Sequence, residues 1–458
     1  MTPSPRTHRR LGLRLAPLVA TLALAAAHVP LRAQSLTELY DAARAYDATY
    51  LAARSLFDSA QYKAAQADAL KRPSVGLAAG ATRNEYDLPS TVSGGRTIPG
   101  TGGQLHSSVL NAGVNATHPL FNRANDATIA QAQRGLDVAA ADLETAEQDL
   151  ILRLAQAYFD VLGAQDTLAT AQAGKKAIAE QLASAKRNFE VGTATITDTR
   201  EAQARFDLAT AQEIAAENDL RTKRIALDQL VGRTAVTPKP LATPVQLPPV
   251  TPDDVGNWVN AADEQHPLVR KTRLALDIAK LETERARAAD TPTLDLVGNV
   301  GANRTVGTAT TTPGNTTQAS LGVQLKMPLY AGGAIQNRVK ETLALEDKAR
   351  NDLDAARRGV AQGTRVAFFG VQSGKAQVNA LEAAESSSKL ALEATQLGYK
   401  VGVRVNLDVL NAQTQLYQTQ RDLAKARYDV IVGGLRLRQA SGQLRAADVG
   451  TVNGLLAK

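Results

Sequence analysis

Proline is absent from three long stretches of this chain, residues 34–72, 120–237 and 329–458, although 18 prolines punctuate the remainder. Proline lacks the backbone donor a helix needs and clashes with the turn before it, so its absence leaves these stretches free to be helical. They are filled with Ala, Leu, Gln, Glu, Lys and Arg, which lose least on entering a helix. Apolar side chains recur every seven positions, as Leu136, Leu143, Leu150 and Ala157, and again as Leu416, Leu423, Val430 and Leu437. That period predicts coiled-coil packing. The stretch from 122 to 190 has only Gly135, Gly163 and Gly174 as weak points. As one helix it is about 100 Å long, more than any compact domain accommodates. Apolar residues make up 44% of the chain but aromatics only 4%, so the packing side chains are small aliphatics suited to closely approaching helices.

Between the helical stretches the period changes to two. Leu294, Leu296, Gly298, Val300 and Ala302 fall on one face of residues 292–304, and Leu321, Val323, Leu325 and Met327 on one face of 317–328. Weaker alternation marks 74–83 (Val75, Leu77, Ala79) and 108–118 (Leu110, Ala112, Val114, Ala116). One apolar face and one polar or small face is the pattern of a strand between two environments. About ten residues is the length of a tilted strand that crosses a membrane. Segments 84–107 and 304–317, rich in Gly, Thr, Ser and Asn, are expected to be the loops of two hairpins.

The two halves are one unit duplicated. At an offset of 210 residues Tyr158-Phe159 meets Phe368-Phe369, Phe189-Glu190-Val191-Gly192 meets Tyr399-Lys400-Val401-Gly402, Asp198 meets Asp408, and Gly232 meets Gly442. The expected organisation is a first repeat over 34–237, with a long helix at 122–190 and a return helix at 197–232; a proline-rich linker over 238–254; a second repeat over 255–450, with helices at 267–290, 334–400 and 406–441; and a tail over 451–458. The fold class is mainly α with β: helix, β-hairpin, long helix and return helix, twice over. Four strands cannot close a barrel, and open strand edges cannot face lipid. The chain is therefore expected to oligomerise; edge satisfaction by itself admits two, three or four copies.

Residues 1–14 are basic, Leu15–Ala27 is apolar, and Ala33 precedes Gln34. This is the order of a cleaved export signal over 1–33, with an uncleaved anchor or a disordered tail as the plainer readings. Five of the 52 basic residues (Arg6, Arg9, Arg10, Arg14 and Arg32) lie in it, and removing them leaves 47 against 45 acids. So balanced a chain offers no nucleic-acid footprint. No later run of 18 apolar residues predicts a transmembrane helix. Absence of Cys excludes disulfides, thiolate metal sites and a lipidated N-terminal Cys. The five His are scattered, and HExxH, GxSxG and GxxxxGK(S/T) do not occur, so no enzyme chemistry, metal or cofactor is expected.

An exported, duplicated chain of this kind resembles the TolC family of outer-membrane channel proteins, over residues 34–450. The resemblance is carried by Val191-Gly192-Thr193-Ala194-Thr195-Ile196-Thr197-Asp198, by Tyr399-Lys400-Val401-Gly402-Val403-Arg404-Val405-Asn406-Leu407-Asp408, by Thr291-Pro292-Thr293-Leu294-Asp295-Leu296, and by Pro328-Leu329-Tyr330-Ala331-Gly332-Gly333. It implies a TolC-like α/β-barrel: a homotrimer whose 12-strand β-barrel sits among the outer-membrane lipids of a Gram-negative bacterium and continues into a long periplasmic coiled-coil barrel. It implies a tip closed at rest that opens when a periplasmic adaptor and an inner-membrane ABC or RND transporter dock. It implies that Asp198 and Thr197 of the first turn meet Arg404 and Tyr399 of the second, forming a gate. Val191, Gly192, Val401 and Gly402 become the adaptor-docking tip. Asp408 and Asn411 become a selectivity ring in the lumen, with Asn411 where the family often has a second acid.

The same turns carry plainer readings. Gly192 and Gly402 suit the left-handed position after a helix, and Asp198 and Asp408 suit the positive end of a return helix. Three function classes remain: a transport duct, a trimeric coiled-coil spacer or adhesin without a pore, and an enzyme. The duplicated hairpins favour the first, since a spacer needs neither. Within it, the Ala-Thr-Ile-Thr-Asp turn and the missing lipidated Cys lean toward type I protein secretion with an ABC exporter; multidrug or metal efflux is the alternative.

Overall fold

A computed structural model describes residues 33–89, 92–97, 103–308 and 313–457. The expected export signal lies outside these residues except for Ala33. The described residues open with two short helices, α1 (Leu36–Tyr46) and α2 (Ala48–Asp68). They break at Asp47, whose backbone is extended and whose carboxylate caps α2 by accepting from the Tyr50 N–H at 2.8 Å. A long hairpin follows: β1 (Ser74–Leu88), a minor hairpin of β2 (Val92–Ser93) and β3 (Arg96–Thr97) at its tip, and β4 (Gly103–Phe121). Then α3 (Arg123–Glu190) runs for 68 residues, and α4 (Ile196–Val231) returns along it. The second half repeats the order as α5 (Val255–Gln265), α6 (Pro267–Ala288), β5 (Thr293–Gly307), β6 (Gly314–Lys326), α7 (Ala334–Lys400) and α8 (Asn406–Ala440), and closes with α9 (Ala446–Asn453).

The β segments correct the sequence reading. Alternation locates strands at 74–83, 108–118, 292–304 and 317–328, but pairing continues well into the expected loops, from Ser74↔Thr117 to Leu88↔Gly103 in the first hairpin. Most of the added pairs are polar, as in Asn84↔Ser107, Glu85↔His106 and Asp87↔Gln104, with Tyr86↔Leu105 the exception. Strands that leave an apolar environment keep their backbone ladder and lose only the alternation that marks them in sequence. Two helices also escape that reading, α5 and α9. With 11 and 8 residues, both are too short to show a sustained heptad.

The two hairpins join edge to edge in one antiparallel sheet of order β1-β4-β5-β6. Register puts Val75, Ala116, Gly298 and Leu321 in one row, and Leu77, Val114, Val300 and Ala319 in the next. This face is apolar yet open: Leu77 is 78% and Leu321 79% exposed. The opposite face carries Asn111 across from Asn303 and Asn115 across from Asn299, with the Asn299 amide donating to Asn115. The outer edges of β1 and β6 have no partner strand among the described residues.

The helical part is built from coiled hairpins, α3 with α4 and α7 with α8. Leu416, Leu423, Val430 and Leu437 of the expected heptad are all buried. The main core lies midway along α3, where Leu150, Leu154, Tyr158 and Phe159 meet α1, the end of α4, and Leu444, Val449 and Leu456 near the C-terminus. The proline-rich segment is no loose tether. It straps this core: the Tyr158 hydroxyl donates to the Lys239 carbonyl (2.9 Å), Leu241 pairs with Leu456, and Leu247 packs beneath. Burial raises the Tyr158 pKa, which keeps the phenol protonated as a donor. No helix among the described residues is long and apolar enough to cross a membrane.

Candidate functional site

Both long helices end in the same turn. After α3, Gly192 adopts φ +80°, and the Thr193 and Ala194 N–H groups donate back to the Asn188 carbonyl at 2.8 and 3.1 Å. After α7, Gly402 adopts φ +81°, and the Val403 and Arg404 N–H groups donate to the Gly398 carbonyl at 2.9 and 3.2 Å. A left-handed residue here lets a helix satisfy its last carbonyls while reversing direction. The exposed side chains of Val191 (73%), Ile196, Val401 and Val403 (77%) give the tip an apolar surface.

The return helices start differently. In α4, Thr195 accepts from the Asp198 N–H (3.2 Å), while the Asp198 carboxylate accepts from the Thr195 N–H and hydroxyl (3.0 and 2.8 Å). This reciprocal cap satisfies two otherwise unpaired donors. In α8 the corresponding cap residue is Val405, which has no side-chain acceptor. The second turn is instead tied laterally to α3: Gln181 donates to the Asn406 side chain, and the Asn188 amide donates to the Tyr399 hydroxyl (3.1 Å).

The side chains named by the resemblance fall into two groups within one protomer. Arg404 faces Asp408, with Nη1 3.5 Å from Oδ2. Its stem lies over Gly398, where a Cβ would come within 2.8 Å of Arg404 Cγ. Tyr399 is held by Asn188. Asp198 is engaged with Thr195, and Thr197 is exposed with no side-chain partner among the described residues. The expected contact of Arg404 with Asp198 and Thr197 is therefore not made inside a single protomer. Asn411 accepts from Arg205 Nη2 at 3.0 Å, so both lumen candidates, Asp408 and Asn411, have a guanidinium beside them.

Arg205, Asn188, Gln181 and Gly398 are the residues that sequence reading passes over. Their signal is departure from the repeat. The 210-residue offset pairs Asn188 with Gly398 and Arg205 with Gln415, so each marks a place where the two copies have diverged. Among the described residues no group of His, Asp and Glu is arranged to hold a metal ion.

The family model described as outer membrane efflux protein matches residues 39–233 and 258–443, the two repeats without the strap. Outer membrane protein TolC of Vibrio cholerae is 32% identical over 442 residues, covering 96% of this chain and 98% of that protein. Alkaline protease secretion protein AprF of Pseudomonas aeruginosa is 34% identical over 304 residues, covering 66% of this chain and 63% of that protein. Among solved structures, the Campylobacter jejuni CmeC outer membrane channel superposes with a TM-score of 0.75 at 17% identity, covering 92% of this chain and 90% of that one; this is a likeness of fold.

Proposed function

The chain belongs to the outer membrane efflux protein family, and from that premise we propose that it is the outer-membrane exit duct of a tripartite export system. The observation that carries this reading is the sheet. It has an apolar face open to its surroundings, a polar face opposite, and two bare edges, and it runs directly into helical hairpins about 100 Å long. Such a sheet is satisfied when β6 of one copy pairs with β1 of the next, since backbone groups in lipid need partners. Three copies of a four-stranded sheet supply 12 strands, enough for a channel wall. Residues 1–33 are read as the signal that exports the chain.

Cargo in this proposal is protein, passed from an inner-membrane ABC exporter through a periplasmic adaptor. The similarity to a relative named for alkaline protease secretion supports that choice. The adaptor docks on the apolar tip formed by Val191, Val401 and their neighbours. Deleting the gene should abolish secretion of a specific protein while an RND-linked drug phenotype stays unchanged; the reverse result would favour drug or metal efflux.

The gate of this duct is proposed to be the Arg404 turn. Among the described residues of its own protomer Arg404 forms an ion pair with Asp408 alone, and a guanidinium has five donors. Its remaining donors are free for Asp198 and Thr197 of a neighbouring copy, with Tyr399 bracing the turn. At an exposed tip each such contact is worth about 1 kcal/mol, so threefold symmetry gives on the order of 3–6 kcal/mol against opening. Arg404→Ser with Tyr399→Phe should raise single-channel conductance several-fold in planar bilayers without unfolding the trimer. Adding Asp198→Ala should change little more, because the groups act as one network. Unchanged conductance in an assembled mutant would place the gate elsewhere.

A further inference from the structure

We propose that Arg304 and the donors around it form, on the apolar side of the sheet, a binding site for the phosphate-bearing headgroup of an outer-leaflet lipid. The inference rests on the reading above of the sheet as a membrane wall, with its hairpin tips outward. Phe121, Leu294 and Leu325 make one row at the helical end of the apolar face. Above that row the face carries no Asp, Glu, Lys or Arg until the row of Ala81, Leu110, Arg304 and Asn315. Arg304 lies ten residues beyond Leu294. At about 3.4 Å per residue and a tilt of about 40°, that is roughly 26 Å of height. The apolar band of an outer-membrane barrel is about 25 Å tall. Arg304, which is exposed, therefore stands where acyl chains give way to headgroups.

The charges of both hairpins, counted in full, leave Arg304 over. Residues 74–121 and 293–326 hold Arg83, Arg96, Arg304 and Lys326 against Glu85, Asp87 and Asp295. Lys326 and Asp295 lie at the helical end. Arg83 is paired with Glu85 at 3.1 Å, and Arg96 and Asp87 offset each other in number nearer the tip. Arg304 makes no ion pair among the described residues, and segments 90–91, 98–102 and 309–312 contain no acid in sequence. Glu85, the nearest acid on this face, is two strands and two rows away. That is roughly 17 Å between Cα atoms, beyond a Debye length of about 8 Å. The neighbours of Arg304 are donors instead: Asn315 directly across on β6, with Ser108 and Thr317 on the diagonals. A guanidinium among hydroxyl and amide donors, with no carboxylate, suits phosphate oxygens, and its planar fork holds two of them at once. The apolar rows beneath, Leu110 with Ala112 and Ala302, favour a phosphate that carries acyl chains over one free in water.

The test reconstitutes purified trimers in phosphatidylcholine vesicles doped with lipid A, extracts them in mild detergent, and weighs the retained lipid by native mass spectrometry. Wild type should keep lipid A and retain its dephosphorylated form at least about tenfold less. Arg304→Gln should lower lipid A retention by a similar factor. Lys326→Gln, which removes one positive charge at the other end of the sheet, should leave it unchanged. Equal retention of both lipids by wild type overturns the inference, as does an Arg304→Gln trimer that keeps lipid A, or an equal loss in Lys326→Gln. Displacement of lipid A by millimolar inorganic phosphate overturns the lipid assignment, because the acyl chains then add nothing. An Arg304→Gln trimer that is weaker yet retains lipid A assigns the arginine to a contact between copies and overturns it too. All these outcomes leave the membrane-wall reading intact. Folded wild-type trimers that fail to enter the vesicles overturn that reading, and this inference with it.

Discussion

Gly232 and Gly442 stand at the same place in the two repeats, just beyond a return helix, and both are left-handed, with φ +66° and +71°. Each presses on the kink between the two short helices that open its own repeat. A Cβ on Gly232 would meet the Tyr46 ring at 2.5 Å, whereas a Cβ on Gly442 would meet the His266 Cα at 2.5 Å. An exposed ring swings aside; backbone does not. Gly442→Ala should therefore cost more than Gly232→Ala, about 2–4 kcal/mol against 1–2 kcal/mol, read from thermal or denaturant unfolding of the trimer. Equal losses would show that the backbone strain alone matters. Asp47 governs another kink. It caps α2 and takes both arms of Arg153 at 3.0 Å. The Arg153 bond, followed by the backbone donors, holds its carboxyl below the usual carboxylate range. A depressed folded-state pKa adds stability that is present above the unfolded value of about 4 and disappears as pH falls through the folded value. Asp47→Asn should lower stability at neutral pH by about 2 kcal/mol and flatten the acid limb of the stability curve.

At the scale of elements, the sheet makes the sharper prediction. Leu321 and Ser320 are neighbours on β6 but point to opposite faces. If the apolar face meets lipid, Leu321→Lys should impair trimer yield in the outer membrane, at a cost of about 2–4 kcal/mol near the bilayer midplane. Ser320→Lys should assemble normally. Equal tolerance would mean that the sheet is not a membrane wall. If the sheet spans the membrane, the same topology puts both hairpin tips on the far side from the helices. An epitope inserted beside Gly95, between β2 and β3, should be labelled on intact cells; labelling only after the outer membrane is broken would reverse the orientation. The strand boundaries show how sequence signals fade. Alternation reports a difference between two faces, so it fades where that difference is lost, while the ladder from Asn84↔Ser107 to Leu88↔Gly103 continues.

At the scale of the molecule, the chain closes on itself around the middle of α3. The strap and the C-terminus are both part of that closure, although in sequence one reads as a linker and the other as a tail. Val449, Val452 and Leu456 are buried there with Leu36 and Leu39. Removing residues 446–458 should expose several kcal/mol of apolar surface. The result to expect is faster limited proteolysis at the strap and a lower melting temperature; a truncated trimer as resistant as wild type would make α9 dispensable. The duplication is also less symmetric in packing than in sequence. Tyr158 and Phe159 are both buried, but in the matching pair Phe368 is buried against the Trp258 cluster and Phe369 is 53% exposed, because only the first repeat meets the chain's own ends.

What the sequence by itself determined is what repeats along it. The heptads, the two-residue alternation, the proline boundaries and the 210-residue offset name the helices, the strands, their order and the family resemblance, because each is a local period fixed by backbone geometry. Tertiary structure alone decided who stands beside whom. Arg205 meets Asn411 across 206 positions and Asn188 meets Tyr399 across 211. Those pairings depend on which helices lie side by side, and in what register and rotation. Side-chain spacing along a single helix carries no record of that, since one exposed stripe of polar residues serves many different neighbours.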